Sequence, residues 1–224
     1  VMTTETLNIS EEQLVDYSKA HNEPSWMTEL RKKALKLTET LEMPKPDKTK
    51  LRKWDFDTFK QHHTTGDAYT QLTDLPKSVK EIIDVENSEN LIIQHNNELA
   101  YTQVSDQAKH DGVIIEGLSE ALVNHSDLVQ KYFMTKAVDV DEHRLTALHT
   151  ALVNGGIFVY VPKNTVVEHP IQYVVLHDDE QASFYNHVII VTEESAEVTY
   201  VENYLSTTSG EDNQLNIVSE VIAG

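Results

Sequence analysis

The stretch "NGGIFVYVPKNTVVEHPI", residues 154–171, decides how the rest of the chain is read. Two glycines lead into five β-formers, then Pro162-Lys163-Asn164, then β-formers again. The pattern returns downstream. "FVYVPKNTVVEHPIQYVV" (158–175) overlays "VIIVTEESAEVTYVENYL" (188–205), a shift of 30 residues. Val159 then falls on Ile189, Val161 on Val191, Ile171 on Val201, and Pro162–Asn164 on Thr192–Glu194. A second shift of 30 starts a third copy at "VSEVIAG" (218–224), with Val221 on Val191. Each copy is strand, short polar turn, strand, then a polar loop such as "HDDEQAS" or "STTSGEDNQ". One such coil cannot bury its own inward side chains, whereas stacked copies can. Alternation in Val159, Val161 and in Ile189, Val191 supplies an inward face. The double glycine lets the chain leave a helix and enter the first coil, because glycine reaches backbone angles other residues avoid. The repeat predicts a mainly β body, a parallel β-helix over residues 156–224, in preference to an antiparallel sandwich. The third copy stops at Gly224, inside the position of the Thr192–Glu194 turn, so the solenoid is expected to be truncated at its C-terminus.

Upstream, residues 1–155 read as a helical and α+β region. Ser10-Glu11-Glu12-Gln13 fits a capping box opening a helix over about 10–21. In "NEPSWMTELRKKALKLTETLEM", Asn22 is a candidate N-cap and Pro24 suits the first turn. Trp26, Leu30, Ala34, Leu37 and Leu41 fall on one helical face, with Trp26 read as a core anchor. "MPKPD" (43–47) stops that helix. Residues 50–63, with Trp54, Phe56 and Phe59, read as an extended arm or short helix, and 64–78 as a loop. "LIIQHNNELAYTQV" (91–104) predicts a hairpin and "GVIIEGL" (112–118) a strand. Helical spacing then resumes. Leu145, Leu148, Ala151 and Leu152 form one face, and Gly155 suits the position just past the helix end.

Composition narrows the function classes. Thirty-seven acidic against 18 basic residues give a net charge of −19, which repels phosphate backbones and anionic membrane surfaces but permits a basic protein partner. The chain has no cysteine, which excludes disulfides, thiolate nucleophiles and thiolate ligands for zinc or an iron–sulfur cluster within these residues. No apolar run approaches the roughly 18 residues of a membrane span. "VMTTETLNIS" lacks the pattern of a secretory signal, and Val1 reads as an addition before a natural start at Met2. The expected location is the cytoplasm.

Eleven histidines invite metal chemistry. "HDDE" (177–180) places His177 beside three carboxylates, but no second cluster stands at metal-ligand spacing, so a solvated acidic loop is expected. The side chains of His62 and His63 diverge, and His143 and His149 do not share a helix face. His169 and His187 are expected to be hydrogen-bonded rather than catalytic. There is no phosphate-binding glycine loop, HExxH or GxSxG. No catalytic, cofactor-binding or metal-ligating residue is therefore assigned.

The segment "ALVNGGIFVYVPKNTVVEHPIQ" (151–172) resembles the signature that opens a right-handed parallel β-helix in the SufB/SufD family of iron–sulfur cluster assembly proteins. "HNEPSWM" (21–27) with "LRKKAL" (30–35), and "HVIIVTEESAEVTYVENY" (187–204), resemble further family motifs in the same order. The roughly 150 residues before the signature and the missing cysteines point to the SufD branch. The resemblance implies a non-catalytic scaffold subunit of a SufBCD complex that supports cluster assembly and iron supply. It would pair with SufB through the β-helix, dock the SufC ATPase through C-terminal helices beyond residue 224, and form a homodimer when alone. The family's proposed functional histidine also falls beyond residue 224. No cofactor is expected on this segment, and the cluster only at the level of the full complex. The competing classes are a solenoid carbohydrate-active or acyl-transfer enzyme and a generic solenoid interaction module.

Overall fold

The computed structural model describes residues 9–41, 69, 71–179, 184–206 and 216–224. Expectations for Met43–Asp47, the Trp54 arm, His62-His63 and the loop residues 180–183 and 207–214 lie outside these. The capping box forms: Gln13 N donates to Ser10 Oγ (3.2 Å) and Ser10 N donates to Gln13 Oε1 (2.9 Å), opening α1 (Glu11–Ala20). Helix α2 (Ser25–Leu37) starts after Pro24 rather than Asn22, which adopts φ 53°. Its buried residues are Met27, Arg31 and Ala34. That face lies partly beside the expected one, so Trp26 is only half-buried and its Nε1 donates to Ser126 Oγ (2.8 Å).

The hairpin comprises β1 (Asn90–His95) and β2 (Glu98–Gln103), preceded by the single-turn helix α3 (Lys77–Lys80). Next come α4 (Asp106–His110), β3 (Ile114–Gly117), α5 (Leu118–Asn124), α6 (Ser126–Tyr132) and α7 (Arg144–Leu152). Five strands follow: β4 (Gly155–Val161), β5 (Ile171–His177), β6 (Tyr185–Thr192), β7 (Tyr200–Ser206) and β8 (Asn216–Ala223). They alternate between two sheets, ordered β2-β1-β5-β7 and β3-β4-β6-β8.

This architecture corrects the expectation of a mainly β, right-handed parallel β-helix. The described residues are mixed α/β, about 35% helix and 31% strand, with two four-stranded mixed sheets. Repeated strands do pair in parallel, β4 with β6 with β8 and β5 with β7. However, each sheet also carries an antiparallel pair, β1 with β2 and β3 with β4. The physical reason lies in the apolar content of the strands. In β4 to β6 nearly every residue is buried, on both faces. Such strands require cover on each side, as parallel strands in α/β proteins do.

That cover comes in layers. Ile157, Val159, Val161, Val188 and Ile190 of the second sheet meet Ile92, Ile171, Tyr173 and Val175 of the first. On the opposite face, Phe158, Ile189 and Val191 pack against Met27, Leu118, Leu122, Val129 and Phe133 of the helical layer. The outer face of the first sheet, with Leu91, Ile93 and Val174, is covered by Leu75, Val79 and Ile83. Each fully buried aliphatic or phenyl side chain contributes about 1.5–3 kcal/mol.

The register also corrects the inward face. Val159 sits opposite Ile190, a shift of 31, whereas Ile171 sits opposite Tyr200, a shift of 29. Four residues, 167–170, separate Val166 from Ile171, while only Val198 and Thr199 separate its partner Glu197 from Tyr200. A one-residue change of register exchanges faces. Val188 and Ile190 therefore point inward, and Ile189 and Val191 point to the helices.

Candidate functional site

The Asn154-Gly155-Gly156 corner is where helix α7 hands the chain to the second sheet, and both glycines are required by space. A Cβ on Gly155 would lie 2.8 Å from Gln94 Nε2 and 2.9 Å from Asn186 Oδ1. On Gly156, at φ 142°, it would lie 1.9 Å from the carbonyl oxygen of His187. Gly155 is therefore not a helix-terminating residue; α7 ends at Val153, and Gly155 opens β4. Asn154 locks the corner: its N donates to Tyr185 O (2.9 Å), and Tyr185 N donates to its Oδ1 (3.0 Å).

Asn186 and His187 lie directly against this corner and point to opposite sides of the sheet. Asn186 enters a polar network between the sheets. Gln94 Oε1 accepts from Tyr173 OH (2.5 Å) and Gly156 N (3.2 Å), while Gln94 Nε2 donates to Asn186 Oδ1 (3.0 Å) and Asn96 O (2.8 Å). Asn186 Nδ2 donates to Tyr173 OH (3.0 Å). All four hydrogen-bonding positions of the Gln94 amide are filled, as a buried polar group requires. Burial pushes the Tyr173 phenol well above its ordinary range, against the opposing hydrogen bond from Asn186.

His187 enters the helical layer. Its Nε2 lies 2.7 Å from Glu220 Oε1, and its Nδ1 lies 2.9 Å from His149 Nε2. His187 and Glu220 are fully buried, and His149 is 4% exposed. Met134 N donates to Glu220 Oε1 (2.9 Å), and Val138 N donates to Oε2 (3.3 Å). With both carboxylate oxygens accepting, His187 Nε2 carries the hydrogen and its Nδ1 accepts from His149 Nε2–H. His149 Nδ1 is then a bare lone pair with no partner. Burial lowers the basicity of both imidazoles; Glu220 partly offsets this at His187, while His187 and Arg31 lower His149 further.

Arg31 completes the buried set. Its Nε and Nη2 donate to Glu23 Oε1 (2.8 Å) and Oε2 (2.7 Å), and Nη1 donates to Ala151 O (3.0 Å). The guanidinium lies 4.9 Å from the Tyr17 ring centroid. Burial alone would lower the Arg31 pKa, but Glu23 more than offsets it and the net direction is upward. Burial raises the Tyr17 phenol to about 12.

Above the corner lies a cleft of about 300 Å3 lined by Tyr17, His21, Glu98, Glu120 and Asn154–Gly156. Tyr17 and His21 stack at 4.0 Å between ring centroids. Glu120 is shifted toward the neutral form by burial and by nearby Glu116.

The other sequence candidates sit elsewhere. His177 is buried edge-on to Phe184. Asp178 accepts from Asn96 Nδ2 (2.9 Å) and pairs with His95 (2.8 Å), tying the acidic loop to the β1–β2 hairpin. His143 caps α7 by accepting from Thr146 N (3.2 Å). His169 offers its carbonyl to Asn90 Nδ2 (3.1 Å). Among the described residues, no group of three or more His, Asp or Glu side chains is placed to hold a metal ion. Sequence reading separated His149 from His187 and overlooked Glu220. The available signal was a carboxylate between Val218 and Ile222 on one apolar strand face.

The fold and the corner define a mixed α/β protein whose parallel strands stack beneath a helical cap. The family model of the SufBD protein N-terminal region matches residues 11–173, and the chain belongs to the SufBD family. It is 48% identical over 219 residues to the iron–sulfur cluster assembly protein SufD of Bacillus subtilis, covering 97% of this chain and 50% of that protein. It is 26% identical over 224 residues to a SufBD family protein of Staphylococcus epidermidis, covering 96% of this chain and 48% of that one. A Pyrococcus horikoshii SufBD family protein is 29% identical over 215 residues, covering 89% and 48%. The chain thus spans about half the length of these relatives. Within the family it is most like SufD.

Proposed function

We propose that this chain acts as a scaffold subunit of a SufBCD-type system, pairing with SufB and docking the SufC ATPase to support cluster assembly and iron supply. The observation that carries the proposal is the 48% identity with a SufD protein across 97% of the chain. Two features support it. The sequence has no phosphate-binding glycine loop, so ATP hydrolysis falls to a partner. His149, His187, Glu220, Arg31 and Glu23 are held in buried networks that join elements, which suits a rigid platform. The iron–sulfur cluster is cargo of the assembled complex.

The test is co-expression with SufB and SufC, capture through a tag on this chain, and analysis of iron and labile sulfide in the eluate. Because the chain spans half of its relatives, a family-length protein is captured in parallel. SufB and SufC eluting with the family-length protein, with iron and sulfide in the complex, is the expected result. Elution of the family-length protein free of both partners would overturn the proposal.

A further inference from the structure

We propose that Asn154-Gly155 is a deamidation site masked by the native corner, and that a chain converted to isoaspartate there while unfolded is barred from the native state. It is the one Asn-Gly pair in the sequence. Asparagine is thermolabile, and a following glycine has no Cβ to shield its amide nitrogen. The step is intramolecular. The Gly155 nitrogen attacks Asn154 Cγ, and its hydrogen passes to the carboxamide nitrogen. The new N–Cγ bond closes a succinimide ring as the Cγ–Nδ2 bond breaks and ammonia leaves. Water then opens the ring at either carbonyl, giving aspartate or isoaspartate. The sum is an asparagine and a water consumed, an acid and an ammonia formed.

Within the fold the ring cannot close. Closure needs the carboxamide turned so that Cγ faces the Gly155 nitrogen. Asn154 Oδ1 instead accepts from Tyr185 N (3.0 Å), while Asn154 N donates to Tyr185 O (2.9 Å). Side chain and backbone are thus held by one partner residue, and Asn154 is only 8% exposed to the water that hydrolysis needs. Gly155 and Gly156 are fixed in the sheet opposite Asn186 and His187. Gln94 Nε2, Asn186 Oδ1 and the His187 carbonyl crowd them and leave little room to swing toward Cγ.

The same contacts oppose the products. Aspartate would put a carboxylate into the cleft that Glu98 and Glu120 already line. Isoaspartate is worse, because it routes the main chain through Cβ and lengthens it by one atom. The extra atom enters a corner where a Cβ on Gly156 would already lie 1.9 Å from His187 O. It also moves Gly155 and Gly156 out of step with Asn186 and His187. Gln94 and Asn186 require a glycine at 155, and both backbone groups of Tyr185 use Asn154. The pair that fits the corner is therefore also the pair that ages once the corner is lost.

The test is incubation of the chain at pH 8.5 and 37 °C, folded and in guanidinium chloride. Peptide masses, with chromatographic separation of the aspartate and isoaspartate forms, give the rate at each asparagine. In guanidinium chloride Asn154 should react faster than every other asparagine. In the folded chain its rate should fall at least about 100-fold, since closure then waits on an opening drawn from the ordered part of the structure. When the aged sample is diluted from denaturant, isoaspartate at this position should be absent from the native size-exclusion fraction and collect in the unfolded or aggregated one. Unmodified chains in the same sample are the reference, and where these refold poorly the rate comparison alone decides. Equal rates in the folded and unfolded chain, another asparagine reacting first in denaturant, or isoaspartate from this position in the native fraction would each overturn the proposal.

Discussion

Two neighbouring glycines meet different obstacles, and that difference is measurable. At Gly156 a methyl group would collide with backbone, the His187 carbonyl at 1.9 Å, in a conformation that L residues rarely adopt. At Gly155 the obstacles are the Gln94 and Asn186 side-chain amides. Gly156→Ala is expected to cost more than about 3 kcal/mol, since strain and overpacking add. Gly155→Ala should cost about 1–3 kcal/mol, because the amides can shift by rotation. Urea denaturation midpoints of the two variants check the order, and equal losses would show that the strand can move away from Gly156. Reading "NGG" in the sequence located the corner correctly but gave Gly155 a helix-ending role. The real constraint comes from Gln94 and Asn186, which are 61 and 31 residues away in the chain. Arg31 is similar. It reads as one more cation in "LRKKAL", and only contact with Glu23 and Ala151 makes it a buried group.

Among the elements, the strands were legible as strands but not in their facing. The 30-residue shift read from the sequence averages the 31 of β4 on β6 and the 29 of β5 on β7. Val159 and Val161 lie between the sheets as read, whereas Ile189 and Val191 lie under the helices. Burial along the stack then predicts two outcomes from one substitution. Val161→Asp places an unpaired carboxylate between the sheets, where Val161 is fully buried. It should cost about 3–5 kcal/mol, in line with an uncompensated buried charge. Val221 belongs to the same alternating set but is 67% exposed on the edge strand. Val221→Asp should change stability by no more than about 0.5 kcal/mol. Thermal unfolding of both variants is the check, and a mild Val161→Asp would show that the sheets part easily at that layer.

For the whole molecule, charge is the dominant long-range term. A net charge of −19 makes the folded chain repel itself. Screening shortens the reach of that repulsion from about 30 Å at 0.01 M salt to about 3 Å at 1 M. Raising sodium chloride from about 20 mM to about 500 mM should therefore raise the unfolding temperature by several degrees. The buried Arg31–Glu23 pair, with side chains 2% and 3% exposed, loses little to the same screening. A fall in unfolding temperature with salt would show that surface ion pairs outweigh the net repulsion.

From the sequence alone came the elements whose cause is local. The Ser10–Gln13 capping box, the β1–β2 hairpin, the helix α7 though not its single buried face, the repeated strand–turn–strand unit and the motifs of the family resemblance all follow from residues within one element or one copy of each other. The three-dimensional arrangement alone decided that helices cover the stacked strands, that Ile189 and Val191 face them, and that His149, His187 and Glu220 meet. The physical reason is that period-two alternation marks two faces of a strand without stating which neighbour each will meet. That choice depends on pairing between residues 31 apart along the strands and 38 apart between the two imidazoles, where a change of one residue in register turns every side chain over.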